Sequence, residues 1–227
     1  MRLKPLPFRL LYLFIALLSP SFLQAQEIKP ASELLTTTQV RSIFTDSVKR
    51  AFNINFPIIR VYKYVDRSGQ YFCVLTETMD SIGKNEEGGY DTLHHSIRAI
   101  NLKTDGKGWA KVWELNDFIL KPEQYQIPEL SIWFWTRFFD FQDFDNDGLI
   151  EPILVYGTRS KVGFDEARVK IIIYYKGHKV AVRHQDSVED DGRWTEFDKS
   201  YQGLPQKLRD CIKARIQLME DSGVAHF

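Results

Sequence analysis

Mainly β with helical pieces near both ends is the class this sequence predicts. Three observations carry it. Runs of β-branched and aromatic residues come in pairs separated by short turn signals, no strand–helix–strand rhythm links them, and helical apolar spacing is confined to Thr38–Phe52 and Pro205–Glu220. The expectation is an α+β protein whose antiparallel hairpins form a sheet, a sandwich or a partial-propeller-like assembly, with one helix near each end.

Each element has its own signal. Met1–Ala25 is read as a secretory signal peptide: Arg2, Lys4 and Arg9 form a basic start, Leu10–Leu18 an apolar run too short to span a bilayer comfortably, and Leu23-Gln24-Ala25 a cleavage site. Residues 26–227 then form a single exported domain, periplasmic or secreted, with no membrane span after cleavage. Without the three leader cations the 30 Lys+Arg fall to 27 against 30 Asp+Glu, so no basic field argues for nucleic acid or an anionic membrane. Val40, Ile43, Phe44, Val48, Ala51 and Phe52 lie at helical spacing after Thr37 or Thr38 as cap.

Ile58–Val65 and Tyr71–Thr76 read as a hairpin, and Met79–Tyr90 as a mobile loop. His94–Leu102 and Trp109–Leu115 follow as a second hairpin around Asp105-Gly106. Asp117–Ser131 is irregular, and Ile132–Phe139 is the most aromatic run, read as a strand leading into an acidic loop and the strand Ile153–Tyr156. Arg168–Tyr175 and Lys179–His184 form a third hairpin, Asp186–Arg193 an exposed acidic segment, and Pro205–Glu220 a helix ended by Gly223. Cys73 and Cys211 are read either as a disulfide of an oxidising compartment or as two buried thiols.

One stretch states a chemistry. In Asp143-Phe144-Asp145-Asn146-Asp147-Gly148-Leu149-Ile150-Glu151, carboxylates at 143, 145, 147 and 151 alternate around a glycine turn, and Leu149 is placed to offer its backbone carbonyl. Hard oxygens at this spacing can wrap a hard cation, and Ca²⁺ suits them better than Mg²⁺, which wants fewer protein ligands in a strict octahedron. The same residue types also make ordinary acidic turns. Three Asp on alternate positions, however, crowd like charges that a cation would relieve.

The loop, residues 143–151, resembles the DxDxDG calcium loops of EF-hands, dockerins and the FG-GAP repeats of integrin-type β-propellers. Position twelve is Leu154 rather than the bidentate Glu of an EF-hand, whereas Glu151 at position nine followed by a strand is similar to the FG-GAP type. The leader, the segment DFDNDGLIEPILVYGT and the chain length together resemble small exported bacterial proteins associated with surface polysaccharide biosynthesis. That resemblance implies an exported, non-catalytic calcium-binding envelope protein that binds polysaccharide or an envelope protein partner. The alternative is a calcium-dependent hydrolase or transferase acting on cell-envelope glycans, and a third reading is a purely structural or adhesive component.

Other constellations are weaker. His94-His95, as strand neighbours, point to opposite faces. Ser68 and Ser96 lack a nucleophile-elbow setting. Glu77, Glu114 and Asp117 are candidate acid and base carboxylates, and Gly88-Gly89 opens no phosphate loop. Trp133 and Trp135, two apart on a strand, either stack on a sugar or fill the core behind the loop. With Tyr156 and Arg159 they are the candidate glycan-binding residues.

Overall fold

The computed structural model describes residues 28–84, 89–120, 129–160 and 166–227. The proposed leader, Gly88 and much of the segment read as irregular before Glu129 lie outside the described residues. In chain order the first strands are β1 (Ala31–Leu34), β2 (Ile58–Asp66), β3 (Gly69–Glu77), β4 (Ser81–Lys84), β5 (Tyr90–Leu93), β6 (Ser96–Thr104) and β7 (Trp109–Phe118). Then come β8 (Glu129–Phe134), β9 (Asp140–Gln142), β10 (Glu151–Ser160), β11 (Arg168–Tyr175), β12 (His178–Gln185) and β13 (Trp194–Phe197). The helices are α1 (Thr37–Ile43), α2 (Asp46–Ala51) and α3 (Gln206–Asp221).

Sheet one runs β1-β2-β3-β6-β7, sheet two runs β13-β12-β11-β10-β8 with β9 also on β10, and β4-β5 make a small ribbon. Every pairing among the described residues is antiparallel. The expected β-rich α+β class is therefore what forms.

Strand alternation sorts the apolar residues into three layers. Tyr71, Cys73 and Leu75 of β3 face Leu154, Ile172 and Tyr174 of sheet two and form the inter-sheet core. Phe72 and Val74 point the other way, with Val61, Ile100 and Leu102, against Phe44 and Ile54 of the α1–α2 region. On the far side, Ile153, Val155, Ile171 and Val182 pack on Leu208, Ile212 and Met219 of α3. The result is helix, sheet, sheet, helix, a β-sandwich covered on both outer faces. A strand with both faces covered needs no polar side, which is why β3, β10 and β11 read as unbroken apolar runs. Aromatic pairs tie the sheets: Trp113 stacks on Tyr174 at 3.8 Å, and Tyr62 on Phe141 at 4.7 Å. Two sheets stacked in this way are a sandwich rather than the blades of a propeller, so that expected alternative is set aside.

Several expectations are corrected. The first helix is two short ones. Thr36, not Thr37 or Thr38, caps α1 through a reciprocal box with Gln39, and the chain leaves helical geometry at Phe44 (φ −93°, ψ 67°) so that this ring can enter the core. The supposed mobile loop contains β4. The aromatic run is a strand only to Phe134, after which Thr136–Phe138 make a 3-10 turn and β9 begins at Asp140. Asp186 is not exposed: its buried carboxylate accepts from the His226 backbone N–H (2.8 Å) and Arg193 Nε (3.3 Å), which pins the C-terminus. The terminal helix does end at Gly223 (φ +65°), through Gly223 N–H to Glu220 and Val224 N–H to Met219.

Cys73 and Cys211 are free thiols, Cys73 in the inter-sheet core and Cys211 on α3 beyond sheet two. A whole sheet separates them, so no disulfide can form in this fold. Burial pushes the Cys73 thiol far above its ordinary range. Titration with a thiol reagent is accordingly expected to modify Cys211 in the native protein and both cysteines in denaturant; no reactive thiol in denaturant without reductant would contradict the free-thiol assignment.

Candidate metal centre

The acidic loop is the connection between β9 and β10, a hairpin closed by Gln142 opposite Glu151. Its backbone turns twice into left-handed geometry, at Asn146 (φ 60°) and Gly148 (φ 83°), residue types that tolerate it. These turns fold successive N–H groups inward, where the carboxylates accept them. Asp143 takes the Asp147 N–H at 3.0 Å and the Gly148 N–H at 2.8 Å. Asp145 takes the Asp147 N–H at 3.1 Å, and Asp147 that of Leu149 at 2.9 Å. Glu151, at the mouth of β10, reaches back to the Phe144 N–H at 2.8 Å and closes the ring.

The four acids predicted as ligands are brought together: one carboxylate oxygen from each of Asp143, Asp145, Asp147 and Glu151 lies within 4.8 Å of the others. Oxygens that share one Ca²⁺ at about 2.4 Å each lie at most about 4.8 Å apart. The spread fits a common cation, and the loop could hold one. Leu149, expected to offer its carbonyl as a fifth ligand, is tied into the loop by its N–H, donated to Asp147 at 2.9 Å.

The electrostatics point the same way. Glu151 is only 1% exposed, and burial first, then the charges of Asp145, Asp147 and Asp143, push its carboxyl up to about 7, against the pull of the Phe144 N–H. Lys176, from the β11–β12 turn, is the cation nearest to the cluster among the described residues, 3.3 Å from Asp147 and 3.9 Å from Asp145. Tyr175 donates its hydroxyl to Asp145 at 3.1 Å. One half-exposed ammonium against four carboxylates leaves the cluster strongly anionic.

The loop is also bolted to sheet one. Asp66, buried at the end of β2, accepts the Ile150 N–H at 3.2 Å, and the Gly148 carbonyl accepts the Arg67 N–H at 3.0 Å. Ser68 fixes the other Asp66 oxygen through its N–H (2.7 Å) and hydroxyl (2.5 Å). A Cβ on Gly148 would sit 3.0 Å from the flexible Arg67 side chain, which would have to shift slightly; it is the positive φ that asks for glycine here. Asp66, Tyr175 and Lys176 carry no signal in the linear motif, because only the tertiary fold brings them to it.

Of the candidate glycan residues, Trp133 and Trp135 are brought together, their ring centroids 6.2 Å apart, whereas Tyr156 turns away from them. Trp135 is 6% exposed and lies beyond the end of β8 in the layer under α3, over Gly157, whose absent Cβ would meet its ring at 2.4 Å. Tyr156 points to the opposite face of the same sheet, 4% exposed and edge-on to Phe134, so it forms no rim around the loop. Arg159 is held by Asp91 at 3.2 Å. Trp133 is partly exposed and lines, with Trp135, Thr136 and Arg137, a cleft of about 360 Å³.

The acid and base candidates are each held by neighbours of their own. Glu77 pairs with His94 at 3.6 Å and takes the Phe134 N–H at 2.9 Å. Arg98 and Lys111 grip Glu114 at 2.7 Å each and hold its carboxyl down at about 2. Asp117 sits against Lys170 at 2.6 Å and Arg168 at 3.8 Å. Sequence reading missed the buried Glu129, which takes a two-pronged grip from Arg168 (2.5 and 2.8 Å) between β8 and β11. His94 and His95 lie in the connection after β5, not in a strand, and each faces its own carboxylate, Glu77 or Asp80.

A carboxyl raised in the fold contributes stability below its unfolded pKa and loses it as pH rises through the folded one. In chelator, Glu151 is therefore expected to cost the wild type stability between pH about 4.5 and about 7, and Glu151→Gln to remove that part of the dependence. Chemical denaturation of both proteins at pH 5 and 8 checks it; a stability difference that does not change between these pH values would contradict the crowding of charge at Glu151.

No family model, curated protein or solved structure matches this chain.

Proposed function

We propose that this is an exported, non-catalytic envelope protein that uses one structural Ca²⁺ to lock its two sheets together. In this reading the protein binds glycan or a protein partner during surface-polysaccharide assembly. The observation that carries the proposal is the closed ring of four carboxylates, Asp143, Asp145, Asp147 and Glu151, with oxygens within 4.8 Å of one another. Calcium at that point would neutralise the ring and hold the β9–β10 hairpin against the β2–β3 turn through Asp66 and Arg67. Export rests on the basic-then-apolar leader, and millimolar extracellular calcium would fill even a weak site. A binding role is favoured over catalysis because Glu114 and Asp117 are each committed to cationic neighbours and Glu77 to His94 and the Phe134 N–H. The best-placed glycan contact is Trp133 beside Arg137, a partly exposed indole in the same cleft as a guanidinium.

Calcium at about 100 times its Kd is expected to stabilise the protein by about 2.7 kcal/mol, read as a rise of several degrees in melting temperature over the chelated sample. Asp145→Ala should abolish that rise, and equal calcium-dependent stabilisation of both proteins would reject the site. On a glycan array, Trp133→Ala should lose binding while keeping its melting temperature; retained binding would remove Trp133 from the contact surface.

A further inference from the structure

We infer that the groove between the first two helices and the β1–β2 edge is a binding site for a single-chain anionic amphiphile, an alkyl or prenyl tail ending in a carboxylate or phosphate. The groove measures about 740 Å³, within the range of small-molecule sites. Val40, Phe44 and Ile54 form its apolar floor. Phe44 is braced from behind by Phe72 at 5.9 Å and Trp109 at 5.7 Å, so the floor is preformed. On the rim, Leu34, Phe56 and Ile59 remain 49%, 41% and 38% exposed although all three are apolar. A hydrocarbon tail laid in the groove would remove this surface from water, at about 25 cal/mol per Å².

The charge on the lining selects the head group. Arg41, Lys49 and Arg60 line the groove, and no Asp or Glu does. Thr37, Arg41 and Phe44 are spaced four and three residues apart along the α1 region, which places Arg41 on the groove side of the helix. Among the described residues no carboxylate pairs with Arg41, Lys49 or Arg60, although Arg60 does reach the Tyr62 hydroxyl. An apolar floor under a lining that carries three cations and no carboxylate favours an apolar body with an anionic end.

The same charges disfavour two other occupants. The chain's own apolar leader carries Arg2, Lys4 and Arg9 and would bring cations to cations. A second copy docking through this face on a two-fold axis would set the same cations against themselves. Arg60 and Asp66 lie six residues apart on β2, roughly 20 Å, so the groove is remote from the acidic loop and stands whether or not that loop holds calcium.

Calorimetric titration of the full chain with dodecyl phosphate below its micelle concentration tests the inference, with dodecyl maltoside as the neutral head on the same tail and inorganic phosphate as the head alone. Saturable one-to-one binding of dodecyl phosphate is expected, about tenfold or more tighter than the maltoside, with none for inorganic phosphate. Arg41→Gln with Lys49→Gln should weaken dodecyl phosphate about tenfold and leave the maltoside unchanged. Phe56→Ser should weaken both, and unchanged melting curves for these surface variants keep the comparison valid. Equal affinity for the charged and neutral heads, unchanged affinity in the double variant, or association with anionic vesicles but not with the monomeric amphiphile would each overturn it.

Discussion

Crowding of negative charge is the constraint on which this molecule turns. Oxygens from four carboxylates sit within 4.8 Å of one another where β9 passes to β10. At an effective dielectric of about 20, each such pair repels by about 3 kcal/mol. Five hydrogen bonds from four backbone N–H groups offset part of this, and Lys176 offsets a little more. Burial first, and this remaining repulsion after it, raise the Glu151 carboxyl. The ring could hold a metal ion, which would relieve that repulsion.

The position of the ring gives that gain structural leverage. A sandwich whose outer faces are both covered by helices has its sheets joined chiefly by apolar and aromatic packing, which holds area but sets register loosely. Asp66 and Arg67 supply a polar bolt at one end, joining sheet one to the loop of sheet two. A second polar tie lies at Asp117 of β7, which meets Arg168 and Lys170 of β11. Asn101 and Tyr64, hydrogen-bonded at 2.7 Å inside the core, belong entirely to sheet one. An ion in the loop would therefore tighten the contact between sheets as well as the hairpin itself.

Legibility in the sequence followed the range of each interaction. The hairpins β2–β3, β6–β7 and β11–β12 were readable because turn chemistry and β-branched runs are local, and the acidic loop for the same reason. The break between α1 and α2 was not readable, since Val40, Phe44 and Val48 keep helical spacing straight through it; the turn exists because Phe44 must reach Phe72 and Trp109. β1 and β13 escaped notice as short, exposed edge strands whose only signature is a neighbour to pair with. The tryptophans were legible in part: Trp133 and Trp135 do lie side by side, 6.2 Å between ring centroids, but the strand ends at Phe134 and Trp135 fills the core under α3. Asp66, Tyr175 and Lys176, far from the loop in sequence, had no local signal at all.

The hydroxyl of Tyr175 lies 3.1 Å from Asp145, which offers a direct optical reading of the site. Terbium, which takes the place of calcium among oxygen ligands, emits when an excited aromatic ring stands close by. Tyrosine-sensitised emission should appear at one ion per chain, be displaced by excess calcium, and vanish in Asp145→Ala. Absence of sensitised emission, or emission that calcium fails to displace, would contradict the claim that this ring of acids holds a metal.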